Sequence, residues 1–485
     1  MRHERKAGLR LAARIGPDGL LGPVATQDTV RVLADFAAAG ADWGVGRWLA
    51  VGTAALRAAA DGREVLERVR AETGIDARLL PGDEEASLGL IGALNTLAEL
   101  DGFAVDIGGA STEVSAFEAR RRTGSLSLPL GAVNATAQFG LAQKAGATAL
   151  EALYAACDGI ASTAGAAFLQ PRPGCTLIGI GGTVRALCKV DRHRRGYPLH
   201  ATHNYLLDPA EALDMAARLA GMPVRERERL PGMAPERADL IAAGAGLLAW
   251  VVRRTQPARI LVSGAGLREG LFFSDLLRHQ PEPLFPDVLE ASARNIERLH
   301  QLPPARLARL EGLAGELWAR LGPLAGAPPA CARILRFAAR LREVGTAVSY
   351  YDWEAHTFYL LREARLYGLD HRERLLLAAA AAYDGPGRLR EQLAPFASVL
   401  QPGDDRLAVR LGIAAALTHA IDEACRGEAL PVQVEALPSV VRIIPARPPL
   451  DGGPVAPGLA EDFRKAFGRA LAVGVPSPEP APVGG

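Results

Sequence analysis

Val105-Asp106-Ile107-Gly108-Gly109-Ala110-Ser111-Thr112-Glu113 reads as the end of one strand, a glycine-rich turn and the start of another. Phe103 to Asp106 carries an apolar strand into the turn, and Glu113 to Phe117 leaves it as the returning strand of a hairpin. The glycines remove Cβ atoms that would keep backbone N–H groups from converging on phosphate oxygens. Asp106 and Glu113 flank the turn, where a carboxylate pair can hold Mg²⁺ directly or through water. An ordinary glycine hairpin with two solvated acids has the same spacing, so the motif takes its meaning from what surrounds it.

Working outward, apolar residues at helical spacing predict a helix over Thr26 to Ala39, and Trp48 to Val51 reads as a short buried strand. A helix over Ala60 to Ala71, a strand near Ala77 to Leu80 and a helix carrying Glu84, Glu85, Leu88, Ile91 and Leu94 continue the alternation. Leu177 to Leu187 and Arg259 to Phe273 each read as strand, glycine turn and helix. The class is therefore α/β up to a proline cluster between Arg278 and Pro304, beyond which the chain reads as nearly all helix. The last stretch, Pro476 to Gly485, cannot build a core and is expected to be disordered.

A length of 485 residues allows two or three domains. Lys and Arg number 55 against 54 Asp and Glu, so no global field draws the chain to nucleic acid or a membrane surface. A polyanion would have to be held by a local site. Five scattered cysteines without a CxxC pair argue against a zinc framework or disulfides, and the basic amino terminus is followed by no sustained apolar segment. These features point to the cytoplasm.

Gly82-Asp83-Glu84-Glu85-Ala86 opens a helix, where carboxylates ordinarily serve the cap and the dipole. The functional reading is that one glutamate faces a cleft and orients or deprotonates a water attacking a terminal phosphate. Gly52-Thr53-Ala54-Ala55-Leu56-Arg57 ends a strand and begins a helix, which lets Arg57 reach a phosphate, although arginines are common throughout the chain. Gly181-Gly182-Thr183 and Ser263-Gly264-Ala265-Gly266 read first as tight helix entries. His200 and His203 have HxxH spacing but no third ligand nearby, which favours a loop role over a metal site.

Taken in order, these segments resemble the exopolyphosphatase / guanosine pentaphosphate phosphatase family, within the acetate kinase, sugar kinase and actin-like superfold. Gly52 to Arg57 resembles its GTxxLR segment, Gly82 to Ala86 its GxEEA segment and Asp106 to Glu113 its DIGGGSTE loop. Leu128 to Gly131 is similar to its LPLG turn, Gly179 to Thr183 to its GxGGT loop and Gly266 to Gly270 to its GLREG helix start. The resemblance covers about residues 10 to 275. It implies two ribonuclease H-like halves, followed by an all-α, degenerate HD-like domain. It implies Glu85 as catalytic base with Glu84 the second candidate, Arg57 as phosphate clamp, and Asp106 and Glu113 supporting Mg²⁺. Gly108, Gly109, Ser111, Thr112, Thr53, Gly181 and Gly182 would cradle phosphate. The substrate would be inorganic polyphosphate or guanosine pentaphosphate, and a homodimer is expected from the family.

Two departures stand out. Nothing before Leu11 matches the Asp-Xaa-Gly-Ser-Asn hairpin with which family members begin, while Arg5 to Gly19 resembles their third strand and its turn. The first half is therefore expected to lack its first hairpin, with an upstream start as the explanation and a catalytically impaired binding paralogue as the rival. A small-molecule kinase on the same superfold is the third reading. Arg342 and Glu343 stand where family members often carry a His-Asp pair, which argues against a metal-dependent phosphohydrolase centre there. The expected division is 1–115 and 116–277 for the two halves, 278–304 as linker, 305–472 helical and 473–485 a tail.

Overall fold

The computed structural model describes residues 4–447 and 455–474. Residues up to Pro286 form one compact unit and those from Asp287 a second.

The first unit begins with helix α1 (Gly22–Asp42), strand β1 (Ala50–Gly52), the short α2 (Ala54–Ala58), α3 (Gly62–Thr73) and β2 (Ala77–Leu79). β1 and β2 pair in parallel as a two-stranded sheet. Leu21, Ala25, Leu56, Val65 and Leu66 close a small core between them, as burial of one apolar stripe per helix requires. The resemblance of Arg5 to Gly19 to a strand is corrected here. Among the described residues that segment holds only a 3-10 turn, Leu11–Arg14, and the first strand is β1.

Helix α4 (Gly82–Leu94) leads into β3 (Gly102–Ile107), β4 (Thr112–Glu118) and β5 (Arg121–Leu128), an antiparallel meander. β6 (Thr176–Ile180) and β8 (Arg259–Val262) extend the sheet in parallel from β3, and β7 (Tyr205–Leu207) lies antiparallel at its edge. The order is β5-β4-β3-β6-β8-β7. Because side chains alternate across a strand, the sheet has two buried faces. Phe103, Val105, Val114, Leu126 and Leu128 join the larger core with the helix Ile241–Thr255, whereas Ala104, Phe117, Ile178 and Ile180 meet Leu90, Ala93 and Leu94 of α4.

A division at residue 115 is thereby corrected, since it falls inside β4, which pairs with β3 and β5 on both sides of that residue. The linker expected over 278–304 is also corrected: helix Val288–Leu299 occupies it, capped by the Asp287 carboxylate accepting from Glu290 N–H. Its apolar stripe, Val288, Leu289, Ala293 and Ile296, is buried. The proline cluster marks a boundary, but a narrower one.

The second unit is helical through Ala424, as expected, with the long helices Pro304–Leu324 and Asp404–Ala424 at its centre. It then adds a three-stranded sheet that the helical reading did not foresee. β10 (Val440–Pro445) pairs antiparallel with β9 (Val432–Ala436) and parallel with β11 (Ala470–Val473). Val473 of the expected tail lies in this sheet, and residues 475–485 lie outside the described ones.

Candidate active site

The register of the meander builds the site. Asp106 stands opposite Glu113, and Glu113 opposite Ser127, so three polar side chains line up across β3, β4 and β5 on the face that α4 covers. Ser127 Oγ donates to Glu113 Oε1 at 3.1 Å. Helix α4 lies low over these polar strands, and at Gly82 the fit is tight. Gly82 faces Ser127 and Gly89 faces Asp106, where a Cβ would stand 3.0 Å from Ser127 Oγ and 3.5 Å from Asp106 Oδ2.

Glu85 sits in the first turn of α4, with its side chain 14% exposed, and Arg57 Nη1 donates to its Oε2 at 2.7 Å. The same Arg57 nitrogen also donates to Leu80 O at 2.5 Å, so the end of β2 fixes the guanidinium that fixes Glu85. Thr53 supplies the N-cap residue of α2, the helix that carries Arg57, and makes no side-chain cap bond.

Charge in this corner is unbalanced. Burial first, and the Glu85 carboxylate second, push Glu113 up to about 8; the same two causes push Asp106 to about 6, with Arg185 opposing. Three carboxylates held together with so little compensation form a place for a cation. They do not close into a compact three-ligand set within the described residues. Asp106 and Glu113, opposite each other across β3 and β4, are the residues that could hold a hydrated Mg²⁺, which takes one or two carboxylates and keeps several waters.

Beside Asp106, past Gly181, lies a cavity whose one charged lining residue, among the described residues, is Arg237. The cavity, of about 220 Å³, is lined by Gly108, Gly109, Gly182, Thr183, Val133 and Arg237. Among the described residues the N–H groups of Gly109 and Ala110 enter no protein hydrogen bond, and Gly182 and Thr183 open the helix Gly181–Arg194, whose first N–H groups have no intrahelical partner. Gly181 has φ of +90°, and a Cβ on it would stand 2.6 Å from Asp106 Oδ1. Ala110 in the turn stays outside the positive-φ region. The Arg237 guanidinium makes no ion pair or hydrogen bond among the described residues, and burial, then the neighbouring Arg185, lower its pKa. A partly buried guanidinium beside other arginines is a ready anion site.

The structure thus gathers Glu85, Arg57, Asp106 and Glu113 at one end of the cleft and Gly108, Gly109, Gly181 and Gly182 beside it. Three sequence candidates are corrected. Glu84 turns away to Arg78, whose Nη1 donates to its Oε2 at 2.8 Å, because successive helix positions point in different directions. Thr112 is fully buried and its hydroxyl donates to Leu130 O at 2.7 Å, so it fixes the turn and cannot reach a ligand. Ser111 is 4% exposed and is hydrogen-bonded to Glu113. Arg237, Arg185 and Ser127 were missed. Arg237 ends the short 3-10 turn Pro235–Arg237 in an arginine-rich chain, and only tertiary structure brings it to the glycine turns. His203 is a loop staple: its Nδ1 accepts from Gly264 N–H at 3.0 Å and its Nε2 lies 3.1 Å from Thr96 O.

A model of the Ppx/GppA phosphatase family matches residues 2–279, and one of Ppx/GppA phosphatase domain III matches residues 288–424. An uncharacterised protein of Streptomyces coelicolor is 31% identical over 284 residues, 57% of this chain and 82% of that protein. An exopolyphosphatase from Cytophaga hutchinsonii shares the fold, at 23% identity and a TM-score of 0.50 over 54% of this chain and 86% of its own. An Aquifex aeolicus Ppx/GppA family member is 25% identical with a TM-score of 0.48, over 56% and 88%.

Proposed function

The chain belongs to the Ppx/GppA phosphatase family, and on that premise we propose that it is an exopolyphosphatase, hydrolysing terminal phosphate from inorganic polyphosphate, with guanosine pentaphosphate as a second substrate of the same chemistry. The observation that carries the reading is the polarity of the cleft. The carboxylates Glu85, Asp106 and Glu113 repel one another beneath α4, and the glycine turns beside Asp106 lead into a cavity whose one charged lining residue, among the described residues, is Arg237. A phosphoanhydride chain and a dication together satisfy both regions, whereas a neutral ligand satisfies neither.

Arg57 and Glu85 bond each other in the free protein. An entering terminal phosphate competes for the Arg57 fork, which frees Glu85 to take a proton from water. The water oxygen forms a bond to the terminal phosphorus as the bridging P–O bond breaks. The proton passes to Glu85, and the shortened chain leaves with the electron pair of the broken bond. Backbone N–H groups of Gly109, Ala110, Gly182 and Thr183 hold the phosphate oxygens in line. Asp106 and Glu113 would hold Mg²⁺, whose charge would offset carboxylates and phosphates together. Arg237→Ala should raise KM for polyphosphate by at least about tenfold, about the worth of one charge-assisted hydrogen bond, with a smaller change in kcat. Unchanged KM in a steady-state phosphate-release assay would remove Arg237 from the substrate site.

A further inference from the structure

We propose that Glu343, His419 and Glu423, in the second unit, form a binding site for one first-row transition dication of the zinc class. His419 and Glu423 are four residues apart on the helix Asp404–Ala424, which puts them on one face, and Glu343 comes from the 3-10 turn Arg342–Ala347. One donor atom from each lies within 4.8 Å of the other two. The His419 side chain is 8% exposed. Its Nε2 lies 2.7 Å from Ala339 O, so that nitrogen carries the proton and donates. Nδ1 therefore turns to Glu343 Oε1, at 3.4 Å. In the neutral ring two lone pairs then face each other, and a positive charge must lie between them. The 3.4 Å separation exceeds the about 2.7–2.9 Å of a charge-assisted N–H···O bond. It matches the roughly 3.3 Å between nitrogen and oxygen ligands that each stand about 2.0–2.1 Å from a tetrahedral ion. A ring N–H donated to a main-chain carbonyl is also how ligating histidines are oriented.

Arg306 is the competing cation. Its Nη1 meets Glu343 Oε2 at 2.5 Å and its Nη2 meets Glu423 Oε1 at 3.2 Å. Arg306 and His419 meet different oxygens of Glu343, Oε2 and Oε1, so an ion bound through Oε1 leaves the Arg306–Glu343 pair in place. It takes from Arg306 only Glu423, whose side chain is 65% exposed and whose ion pair is correspondingly weak. Asp422 stays committed to Arg306 and Arg309, at 3.5 and 3.3 Å. One imidazole and two carboxylates suit Zn²⁺ or Co²⁺ better than Mg²⁺, and the open side at Glu423 leaves a position for water. The ion would tie the turn after helix Cys331–Leu341 to the long helix Asp404–Ala424. It is independent of the phosphatase reading.

The test is calorimetric titration of the full chain with Zn²⁺ under saturating Mg²⁺, repeated with Co²⁺ while recording its visible absorption. One ion per chain is expected, with a tetrahedral Co²⁺ spectrum. Glu423→Gln, at an exposed position that leaves the core untouched, should weaken binding by at least about tenfold, and His419→Gln should abolish the Co²⁺ spectrum. Absence of binding would mean that a proton alone bridges His419 and Glu343, and would overturn the proposal. Binding of equal affinity and spectrum in both variants would overturn it as well.

Discussion

Glu85 and Glu84 are neighbours in sequence with opposite fates: one is bonded to Arg57 over the carboxylate row, the other to Arg78. Glu85→Gln should lower polyphosphate turnover by about 10² to 10⁴, the usual worth of a general base, while equilibrium binding of the chain changes by only a few-fold. Turnover within threefold of the parent would remove Glu85 as the base. Glu113 gives a pH prediction. Its folded pKa is raised to about 8, mainly by burial, so the folded state holds a proton that the unfolded state releases near the ordinary 4.5. Stability conferred by that proton is full below about 4.5 and is lost as pH rises through about 8. With a chelator present, Tm should fall between pH 5 and 9, and Glu113→Gln should flatten the slope; an unchanged slope would assign it to other groups. The Asp106 to Glu113 hairpin was legible in the sequence because glycines bracket its turn, whereas Arg57, one arginine among many, was singled out only by the family resemblance. The burial of Ser111 and Thr112 was not legible, since their hydroxyls serve partners, Glu113 and Leu130, that local spacing does not reveal.

At the scale of elements, the position of α4 decides the site, and glycines set it. A Cβ on Gly92 would come within 2.1 Å of Gly266 O, and one on Gly270 within 1.8 Å of Leu88 O, so α4 and the helix Leu267–Leu276 touch backbone to backbone. Gly92→Val should lift α4 from the sheet, cost about 1–3 kcal/mol of stability and reduce turnover more than chain binding. Denaturant unfolding and phosphate release on the same sample would check this, and parent-like values of both would show that the contact does not position Glu85. Strand and helix existence followed from periodicity for β3, β4, β6 and β8. β5 is half exposed and arginine-rich, which hid its alternation, and β9 to β11 lie at the end of a stretch dominated by helical patterns. The helix Val288–Leu299 was hidden because prolines on both sides drew attention to the boundary and away from the apolar stripe between them.

At the scale of the molecule, net charge is +1, so affinity for a polyanion must come from the local arrangement of the cleft. The described residues contain no helix long and apolar enough to cross a membrane. If the second unit helps to hold long substrates, a chain ending at Pro286, shown to be folded by circular dichroism, should lose affinity for long polyphosphate more than for tripolyphosphate. Equal losses would give the second unit a role apart from substrate length. The central claim is tested most directly by Mg²⁺-dependent phosphate release from long-chain polyphosphate by the full chain. The account predicts steady release that rises with enzyme and stops when Mg²⁺ is chelated; binding of polyphosphate without release at any pH from 6 to 9 would contradict it and make the protein a polyphosphate-binding member of its family.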